Sequence, residues 1–329
     1  MRSYNKKQAI RILPAFFLLL VCSFPAFATN VKSAYLYNLS NFSGKIPYSD
    51  VRLHVDRARD EVYVLDRGIV KVFNETGMEV FWFGDNRALG TIYDIAVDEK
   101  GDLLLLSFDF SHPADGPDYW ISKCNYRGDL KGTVRIGGLP GDFYGFCPNR
   151  MFMRGGELLL VSTSRMQAIV TDRNGKFQKG YDFGRIVDVP EKDRLTTEIF
   201  GFSVDRSGNM LFTVAVHFKA YVVSPEGKLI VSFGKSGSAP GMFGVISGIA
   251  VDDEGNYLVV ERLRSVVMVF DREFRFVQEF GYRGEKPWNL IRPNEVAVGN
   301  SGKLYVTQLR NRGVSVFSLS SYGTEGGRQ

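Results

Sequence analysis

Histidine and cysteine are both scarce in this chain, with three of each among 329 residues. His54, His112 and His217 fall at different places in the repeat pattern described below, whereas the ligands of a zinc ion must converge on one point. No C-x-x-C-H sequence is present, which excludes haem attached through that motif. No Ser-His-Asp arrangement, phosphate-binding loop or H-E-x-x-H sequence stands out. The sequence therefore predicts no catalytic residues and no cofactor.

Long apolar runs are absent after residue 28, so the sequence predicts no membrane span in the remaining chain. Residues 1–28 have a basic start, an apolar stretch from Ile12 to Phe24 and the cleavage motif Ala26-Phe27-Ala28. These features predict a secretory signal peptide cleaved after Ala28. Lipidation at Cys22 and retention as an anchor are the alternatives. We expect the mature protein to be periplasmic or secreted.

The mature chain has almost no net charge. Residues 1–28 hold four of the 41 basic residues and no acidic residue, which leaves 37 basic against 36 acidic residues. Balanced charge and export both argue against a nucleic-acid partner. Cys124 and Cys147 would remain in a compartment that permits disulfides, and the sequence leaves their pairing open. Cys124 occupies a position that other repeats fill with Phe73, Val223 or Phe270, and is predicted to be buried.

A two-part sequence pattern recurs six times from Leu53 onward. Its first half is an apolar run, a polar turn and a second apolar run; its second half is an apolar run, a Gly-containing turn and a strand that ends in Phe-Gly or Ile-Gly. The first halves begin at Leu53, Ile95, Met151, Phe202, Ile249 and Val296, 42 to 56 residues apart. The second halves are 70–84, 121–137, 169–184, 221–234, 267–281 and an incomplete 314–319. Four strands per unit at this period are typical of a β-propeller.

The repeat predicts an all-β, six-bladed propeller over residues 29–319, with four antiparallel strands per blade. The sixth unit lacks its outer strand, which Ala34–Leu39 can supply, and this pairing would close the ring and remove an exposed edge. Turns such as Asp252–Gly255 place an aspartate where its carboxylate can accept backbone N–H bonds, so these aspartates are predicted to be structural. Ser320–Gln329 is polar and Gly-rich and is predicted to be a disordered tail.

The fifth unit reads Ser247-Gly248-Ile249-Ala250-Val251-Asp252, followed by Gly255, Val269-Phe270 and Phe280-Gly281. This pattern resembles the NHL-repeat family, and the resemblance extends over about Val31 to Leu319. Arg154 in place of the turn aspartate and the insertion Phe108–Asp118 depart from it. The resemblance implies the propeller fold, but not an activity. Related propellers include a peptidyl-amidating lyase with a histidine-bound zinc ion and gluconolactonase-like enzymes with a divalent ion held by carboxylates and Asn.

The resemblance also implies that the entry to the first strand of each blade and the loop between its second and third strands share one face, here called the loop face. One residue per blade then surrounds the channel there, a set we call the mouth ring: Arg52, Asp94, Arg150, Gly201, Gly248 and Glu295. The preceding positions are Val51, Tyr93, Asn149, Phe200, Ser247 and Asn294. Two interpretations stay open. The ring can bind a small ligand or the charged tip of a partner, or its arginines and carboxylates can form a network that closes the channel.

Basic residues cluster on the loops of blades five and six. Arg262, Arg264, Arg310 and Arg312 lie in loops between second and third strands, and neighbouring loops add Arg283, Lys286 and Arg292 against Glu261 and Glu285. The insertion of blade two is acidic, with Asp109, Asp115 and Asp118 beside Tyr119 and Trp120. Such a cluster can steer an anionic partner although the total charge is near zero.

These observations predict an exported binding or scaffold propeller that engages another envelope or extracellular protein through its loop face. Arg262, Arg264, Arg310 and Arg312 would attract the partner, while Tyr93, Phe200 and the polar ring, with Asn294, would give specificity. The alternative is a metal-dependent lyase or hydrolase with Asp94, Glu295, Asn294 and Asn149 at the channel mouth. Oxygen ligands of that kind suit Ca²⁺ or Mg²⁺, but Arg52 and Arg150 would repel a cation.

Overall fold

A computed structural model describes residues 30–46, 51–84, 87–109, 118–309 and 311–322. In these residues the strands form six four-stranded antiparallel sheets and one separate hairpin. In chain order the strands are β1 (Asn30–Asn38), β2 (Ser40–Asn41), β3 (Gly44–Lys45), β4 (Arg52–Asp56), β5 (Glu61–Asp66), β6 (Ile69–Phe73), β7 (Glu79–Phe83), β8 (Thr91–Val97), β9 (Leu103–Asp109), β10 (Asp118–Cys124), β11 (Leu130–Arg135), β12 (Arg150–Arg154), β13 (Glu157–Ser162), β14 (Gln167–Thr171), β15 (Phe177–Asp182), β16 (Phe202–Val204), β17 (Met210–Val214), β18 (Lys219–Val223), β19 (Leu229–Phe233), β20 (Ile246–Val251), β21 (Tyr257–Glu261), β22 (Val266–Phe270), β23 (Phe276–Gly281), β24 (Pro293–Val298), β25 (Lys303–Gln308) and β26 (Val314–Tyr322).

Each blade consists of four consecutive strands, beginning with β4, β8, β12, β16 and β20, and the sixth consists of β24, β25, β26 and β1. The predicted six-bladed β-propeller is confirmed. One short α-helix, α1 (Phe183–Ile186), follows the third blade. Three-residue 3₁₀ helices occur at Arg87–Leu89, Gly141–Phe143, Glu191–Asp193, Ala215–His217 and Asn300–Gly302. No helix in the described ranges has the length and apolar character needed to cross a membrane.

The ring is closed by the segment that the sequence identified. Strand β1 pairs antiparallel with β26, Tyr35 lies opposite Phe317, and their rings meet edge to face at 5.7 Å. The pairing runs further than predicted, because Asn30 lies opposite Tyr322. Residues 320–322 therefore belong to the sixth sheet and not to the predicted tail. Residues 323–329 and the predicted signal peptide, residues 1–28, lie outside the described residues.

Apolar side chains fill the interfaces between neighbouring blades. In β9, Leu103 and Leu105 pack toward blade one, whereas Leu104 and Leu106 pack toward blade three. Each of the six interfaces between described blades has its own buried cluster of this kind. Because each sheet is covered on both faces, the strands read as continuous apolar runs rather than as alternating ones.

The turn aspartates cap their own turns. The Oδ1 atom of Asp252 accepts bonds from the backbone N–H of Glu254 at 3.0 Å and of Asn256 at 2.8 Å. Gly255 closes this turn with a φ of 80°, a left-handed conformation that glycine adopts without steric cost. These contacts confirm the structural role predicted for the turn aspartates.

Cys124 and Cys147 are both free. Cys124 is buried, as predicted, and burial raises the pKa of its thiol to about 11. The thiol is therefore protonated and unreactive at neutral pH. The Sγ atom of Cys147 bonds to the backbone oxygen of Gly145 at 3.1 Å.

Candidate functional site

The mouth ring contains an ion-pair network that spans the channel. Arg52 Nη1 lies 2.7 Å from Glu295 Oε1, and Arg150 Nη2 contacts the same oxygen. Arg150 begins blade three and Glu295 lies in blade six, and in a ring of six these blades stand opposite each other. The Arg150–Glu295 pair therefore crosses the channel. Arg150 and Glu295 are buried, at 6% and 9% exposed.

The two carboxylates of the ring also bind backbone groups of the next blade. Glu295 Oε2 accepts a bond from the N–H of Leu53 at 3.2 Å. Asp94 Oδ2 accepts one from the N–H of Met151 at 2.7 Å, and its Oδ1 accepts one from its neighbour Ile95 at 3.0 Å. In both cases the donor follows the ring residue of the next blade. These bonds link the inner strands of adjacent blades.

Glycine at the other two ring positions allows direct backbone contact. A Cβ atom at Gly201 would lie 2.2 Å from the oxygen of Ser247, and one at Gly248 would lie 2.8 Å from the Cα of Glu295. Blades four, five and six therefore approach one another more closely here than any side chain would allow. The charged side chains of the ring lie on blades one, two, three and six.

Burial and the neighbouring arginines shift the pKa values of the two carboxyl groups in opposite directions. Burial raises the pKa of Asp94 to about 6, although Arg150 and Arg52 oppose this change. Burial would also raise the pKa of Glu295, but the guanidinium groups of Arg150 and Arg52 outweigh it and hold that pKa below its usual value. Glu295 is thus ionised at neutral pH and holds both arginines.

This arrangement fits the network interpretation better than a cation site. Two guanidinium groups stand where a metal ion would have to bind, and the carboxylate oxygens already accept bonds from donors. Asn149, a proposed ligand, bonds to Thr163 through both its amide nitrogen at 2.8 Å and its oxygen at 3.1 Å. Across the described ranges, no group of three or more His, Cys, Asp or Glu side chains is arranged to hold a metal ion.

Tyr93 and Phe200 precede the ring and pack into aromatic or core surroundings. The Tyr93 ring stacks on Phe108 with centroids 4.0 Å apart and lies 6.4 Å from the ring of Tyr119. Phe200 is partly buried against the core between blades four and five. Asn294 is also partly buried and makes contacts within the protein.

The structure places the four loop arginines in different situations. Arg264 is an internal residue: its Nη1 lies 2.7 and 2.6 Å from the two carboxylate oxygens of Glu279, and its side chain is 21% exposed. Two buried carboxylates, those of Glu279 and Glu261, neutralise Arg264, and its role in attracting a partner stays a prediction. Arg262 is partly buried and Arg310 lies outside the described residues.

Arg312 holds the loop between blades five and six. Its guanidinium donates to the backbone oxygens of Glu285, Lys286 and Asn289 at 3.2 to 3.4 Å. Backbone oxygens carry no formal charge, so Arg312 adds a positive charge to this loop.

The same loop carries exposed aromatic residues that sequence reasoning did not select. Tyr282 and Trp288 are 53% and 51% exposed, and Lys286 Nζ lies 5.1 Å from the centre of a Trp288 ring. Arg283 and Arg292 are also exposed. We call these five residues the basic–aromatic patch. The sequence did contain a signal for this patch. Two aromatic residues stand between Phe280-Gly281 and the next strand, where the packing of the strands does not require them.

In blade two, Asp118 and Trp120 of the acidic segment make contacts within the protein. Asp118 pairs with Arg135, and Trp120 is buried and donates to Ser122 Oγ at 2.9 Å. Asp115 lies outside the described residues.

A cavity of about 620 Å³ occupies the channel on one side of the ring only. Its lining extends from ring residues Asp94, Arg150 and Glu295 to turn residues such as Asp205 and Asp253, and it includes none of the residues that precede the ring. The ring is thus the floor of a chamber that faces the turns between first and second strands. We call that side the turn face.

Comparison with solved structures supports the fold and not an activity. The chain is similar to a streptogramin B lyase, with 14% identity and a TM-score of 0.56 over 88% of this chain and 98% of that one. It is similar to virginiamycin B lyase from Staphylococcus aureus, with 10% identity and a TM-score of 0.55 over 89% and 99% of the two chains. It is also similar to an auxiliary nutrient binding protein from Bacteroides ovatus, with 12% identity and a TM-score of 0.58 over 89% and 77%.

No family model and no curated protein sequence matches this chain. The assignment to NHL repeats within the propeller group therefore stays a prediction, while membership of the six-bladed propeller fold is established.

Proposed function

We propose that this chain is an exported binding propeller whose loop face holds an acidic segment of another envelope or extracellular protein. The basic–aromatic patch is the observation that carries the proposal. Half-exposed Trp and Tyr residues beside arginines are the residue types that dominate binding energy at protein interfaces. Neither Tyr282 nor Trp288 belongs to any of the buried clusters between blades.

The patch has the charge that such a partner requires. Residues 282–292 contain Arg283, Lys286 and Arg292 against Glu285, and Arg312 lies against the same loop. This local excess of positive charge can accelerate the encounter with an acidic segment, and the effect decreases with ionic strength.

The loop is held in place before any partner binds. Asn289 Nδ2 donates to the oxygen of Gly281 at 3.0 Å, and Asn289 Oδ1 accepts from the N–H of Lys286 at 3.2 Å. Together with Arg312, these bonds fix the loop from within. A fixed loop loses less conformational entropy on binding than a mobile one.

The metal-dependent lyase or hydrolase is less well supported. Similarity to lyases concerns the fold, and the carboxylates that would hold a cation are bonded to arginines and backbone N–H groups. Elemental analysis of the purified protein decides this point: stoichiometric Ca²⁺, Mg²⁺ or Zn²⁺ would favour the enzyme.

The binding proposal is tested by quantitative capture from a cell-envelope fraction with three baits. The first is the wild-type mature chain, the second carries Arg283→Glu and Lys286→Glu, and the third carries Lys176→Glu and Lys228→Glu. The third bait is a matched control, since it has the same change in charge at exposed turn-face positions. We expect the wild type and the control to retain the same proteins and the patch variant to lose them, with unchanged melting temperatures. Equal capture by all three baits would show that the basic–aromatic patch does not bind the partner.

A further inference from the structure

The turns between second and third strands are alike in blades three, four and five. Each has four residues, and its last residue takes a positive φ directly before the next strand: 51° at Met166, 52° at Phe218 and 59° at Ser265. The second residue of each turn forms its tip and is exposed. These tip residues are Ser164, Val216 and Leu263. Because serine occupies the tip in blade three, the turn does not require an apolar residue there.

In blades four and five the tip is nevertheless apolar. Leu263 is 68% exposed and Val216 is 57% exposed, and neither belongs to the buried clusters on the two sides of their blades. Met242, on the loop between these blades, is also exposed, and its Sδ atom covers Gly237. We call Val216, Met242 and Leu263 the apolar row. Single exposed apolar residues are ordinary, but several on adjoining loops indicate an interaction site.

Contacts join Leu263 to the loop that carries Met242. A Cβ atom at Gly244 would lie 3.5 Å from Leu263 Cδ1, so the leucine packs over this part of loop 235–245. Arg264 Nη2 donates to the backbone oxygen of Met242 at 3.2 Å. The tip of blade five and the loop before it therefore form one surface.

The same surface extends to both sides. The N–H of Arg292 donates to Ser265 Oγ at 3.2 Å, which joins turn 262–265 to loop 282–292 and its basic–aromatic patch. On the other side, Lys219 Nζ donates to the backbone oxygen of Gly234 at 2.8 Å, which joins the turn of blade four to the start of loop 235–245. The apolar row and the basic–aromatic patch thus adjoin each other across blades four to six.

A buried carboxylate holds the tip of blade five in place. Glu261 is fully buried, and its Oε1 and Oε2 accept bonds of 2.7 Å from the N–H groups of Val245 and Arg264. The N–H of Arg262 donates to the oxygen of Val245 at 2.9 Å. Both neighbours of Leu263 are therefore bonded through their backbone. The leucine is held toward solvent before any partner binds, which lowers the entropic cost of binding.

The charge of these loops selects an acidic partner. Loops 215–218, 235–245, 262–265 and 282–292 contain six lysines and arginines against one carboxylate, that of Glu285. Glu261 and Glu279, which pair with Arg264, raise the number of carboxylates to three. The excess of positive charge remains after this count. It attracts an acidic segment and repels a basic one.

We propose that the apolar row is a second contact area for the partner of the basic–aromatic patch, and that the bound segment is amphipathic. Its apolar side chains pack on Leu263, Met242 and Val216, while its acidic side chains lie beside the lysines and arginines of the loops. This rests on the function proposed above and extends it to blades four and five.

Photochemical cross-linking in a cell-envelope fraction tests the proposal. The mature chain carries p-benzoylphenylalanine at one of three positions: Leu263, Trp288 or the matched tip Ser164. We expect positions 263 and 288 to attach to the same protein and position 164 to attach to none. Mass spectrometry of the attached peptide should find Asp or Glu together with apolar residues.

The outcomes separate this proposal from the function on which it rests. Attachment from position 288 without attachment from position 263 would overturn the apolar row and leave the basic–aromatic patch in place. No attachment from position 288 would overturn both. Attachment to a second copy of this chain, attachment of a peptide without acidic residues, or equal attachment from position 164 would also overturn the proposal.

A binding measurement gives the size of the effect. A synthetic peptide with the attached sequence is titrated by calorimetry into the wild type, Leu263→Ser and Ser164→Ala. Leu263→Ser introduces the residue that blade three has at its tip, and we expect it to weaken binding by about tenfold. Ser164→Ala should bind as the wild type does, and both variants should keep the wild-type melting temperature because both positions are exposed. Equal affinity of the wild type and Leu263→Ser would overturn the proposal.

Discussion

Arg150 and Arg264 show that arginine forms two different kinds of ion pair in this molecule. Both are arginines in loops or strand entries that a sequence reader would place near the loop face. Arg264 pairs with Glu279 and Glu261 of its own blade, while Arg150 reaches across the channel to a carboxylate of the opposite blade. The repeat alignment identified which residues form the mouth ring. It could not show which of them pair, since that depends on side-chain direction across a gap of several ångströms.

Asp94 makes the stability of the fold depend on pH. Its pKa is raised to about 6 in the folded chain, so its contribution is fully present below its unfolded value near 3.8 and is lost as pH rises through about 6. The difference corresponds to roughly 3 kcal/mol, at about 1.4 kcal/mol per pH unit. In Asp94→Asn this loss should vanish, which denaturant unfolding between pH 4 and 7 can measure.

His54 changes stability in the opposite direction over nearly the same interval. Its folded pKa is about 4, so its contribution grows as pH rises from about 4 to 6.5. His54 is present in both the wild type and Asp94→Asn. The difference between their curves of stability against pH therefore reports the contribution of Asp94 alone. A pH-independent difference between wild type and variant would contradict this assignment.

Removing Arg264 should destabilise the fold and not merely weaken binding. In Arg264→Met the buried carboxylate of Glu279 loses its cation, and loss of one member of a buried pair costs about 3 kcal/mol or more. The exposed Arg283→Met is the matched control and should change the free energy of unfolding by less than about 0.5 kcal/mol. Both values come from urea unfolding. Equal stability of the two variants would show that the Arg264 pair is not a structural one.

At the scale of elements, the sequence predicted the features that recur in every blade. The blade count, the turns capped by aspartate and the closing strand follow from apolar periodicity and turn chemistry, which act locally. The segments between blades have no such period, so α1 (Phe183–Ile186) and the fixed loop 282–292 were not predicted. The basic–aromatic patch lies on one of these segments. A repeat motif constrains its strands, while the connections remain free to diverge.

Strand β1 should be required for a closed ring. A chain that begins at Leu39 lacks the partner of β26 and exposes the edge of that strand, so we expect a lower melting temperature and oligomers that grow with concentration. A synthetic peptide of residues 30–38 should restore the monomer and the melting temperature. A scrambled peptide of the same composition is the control, and equal rescue by both would contradict specific pairing.

At the scale of the whole molecule, the mouth ring divides the channel into two regions with different chemistry. The loop face presents exposed aromatic and basic residues to the outside, while the turn face opens into a chamber lined by both apolar and charged residues. The ring between them is bonded to inner strands of adjacent and opposite blades. Binding at one face is therefore expected to leave the other unchanged.

Export can be tested directly on the mature protein. We expect the intact mass of the protein recovered from the periplasm or medium to correspond to a chain that begins at Thr29, because Ala26-Phe27-Ala28 precedes that residue. A mass that includes residues 1–28, or recovery in the cytoplasm alone, would contradict the prediction.

A double-mutant cycle on Arg150 and Glu295 tests most directly whether the ring closes the channel by pairing with itself. Arg150→Met, Glu295→Gln and the double variant would be compared with wild type by urea unfolding. The account predicts that the double variant is more stable than the sum of the single losses implies, by about 2 kcal/mol, because each single change leaves a buried partner without its counterpart. Losses that add within about 0.5 kcal/mol would mean that the two side chains do not depend on each other, and would contradict the account.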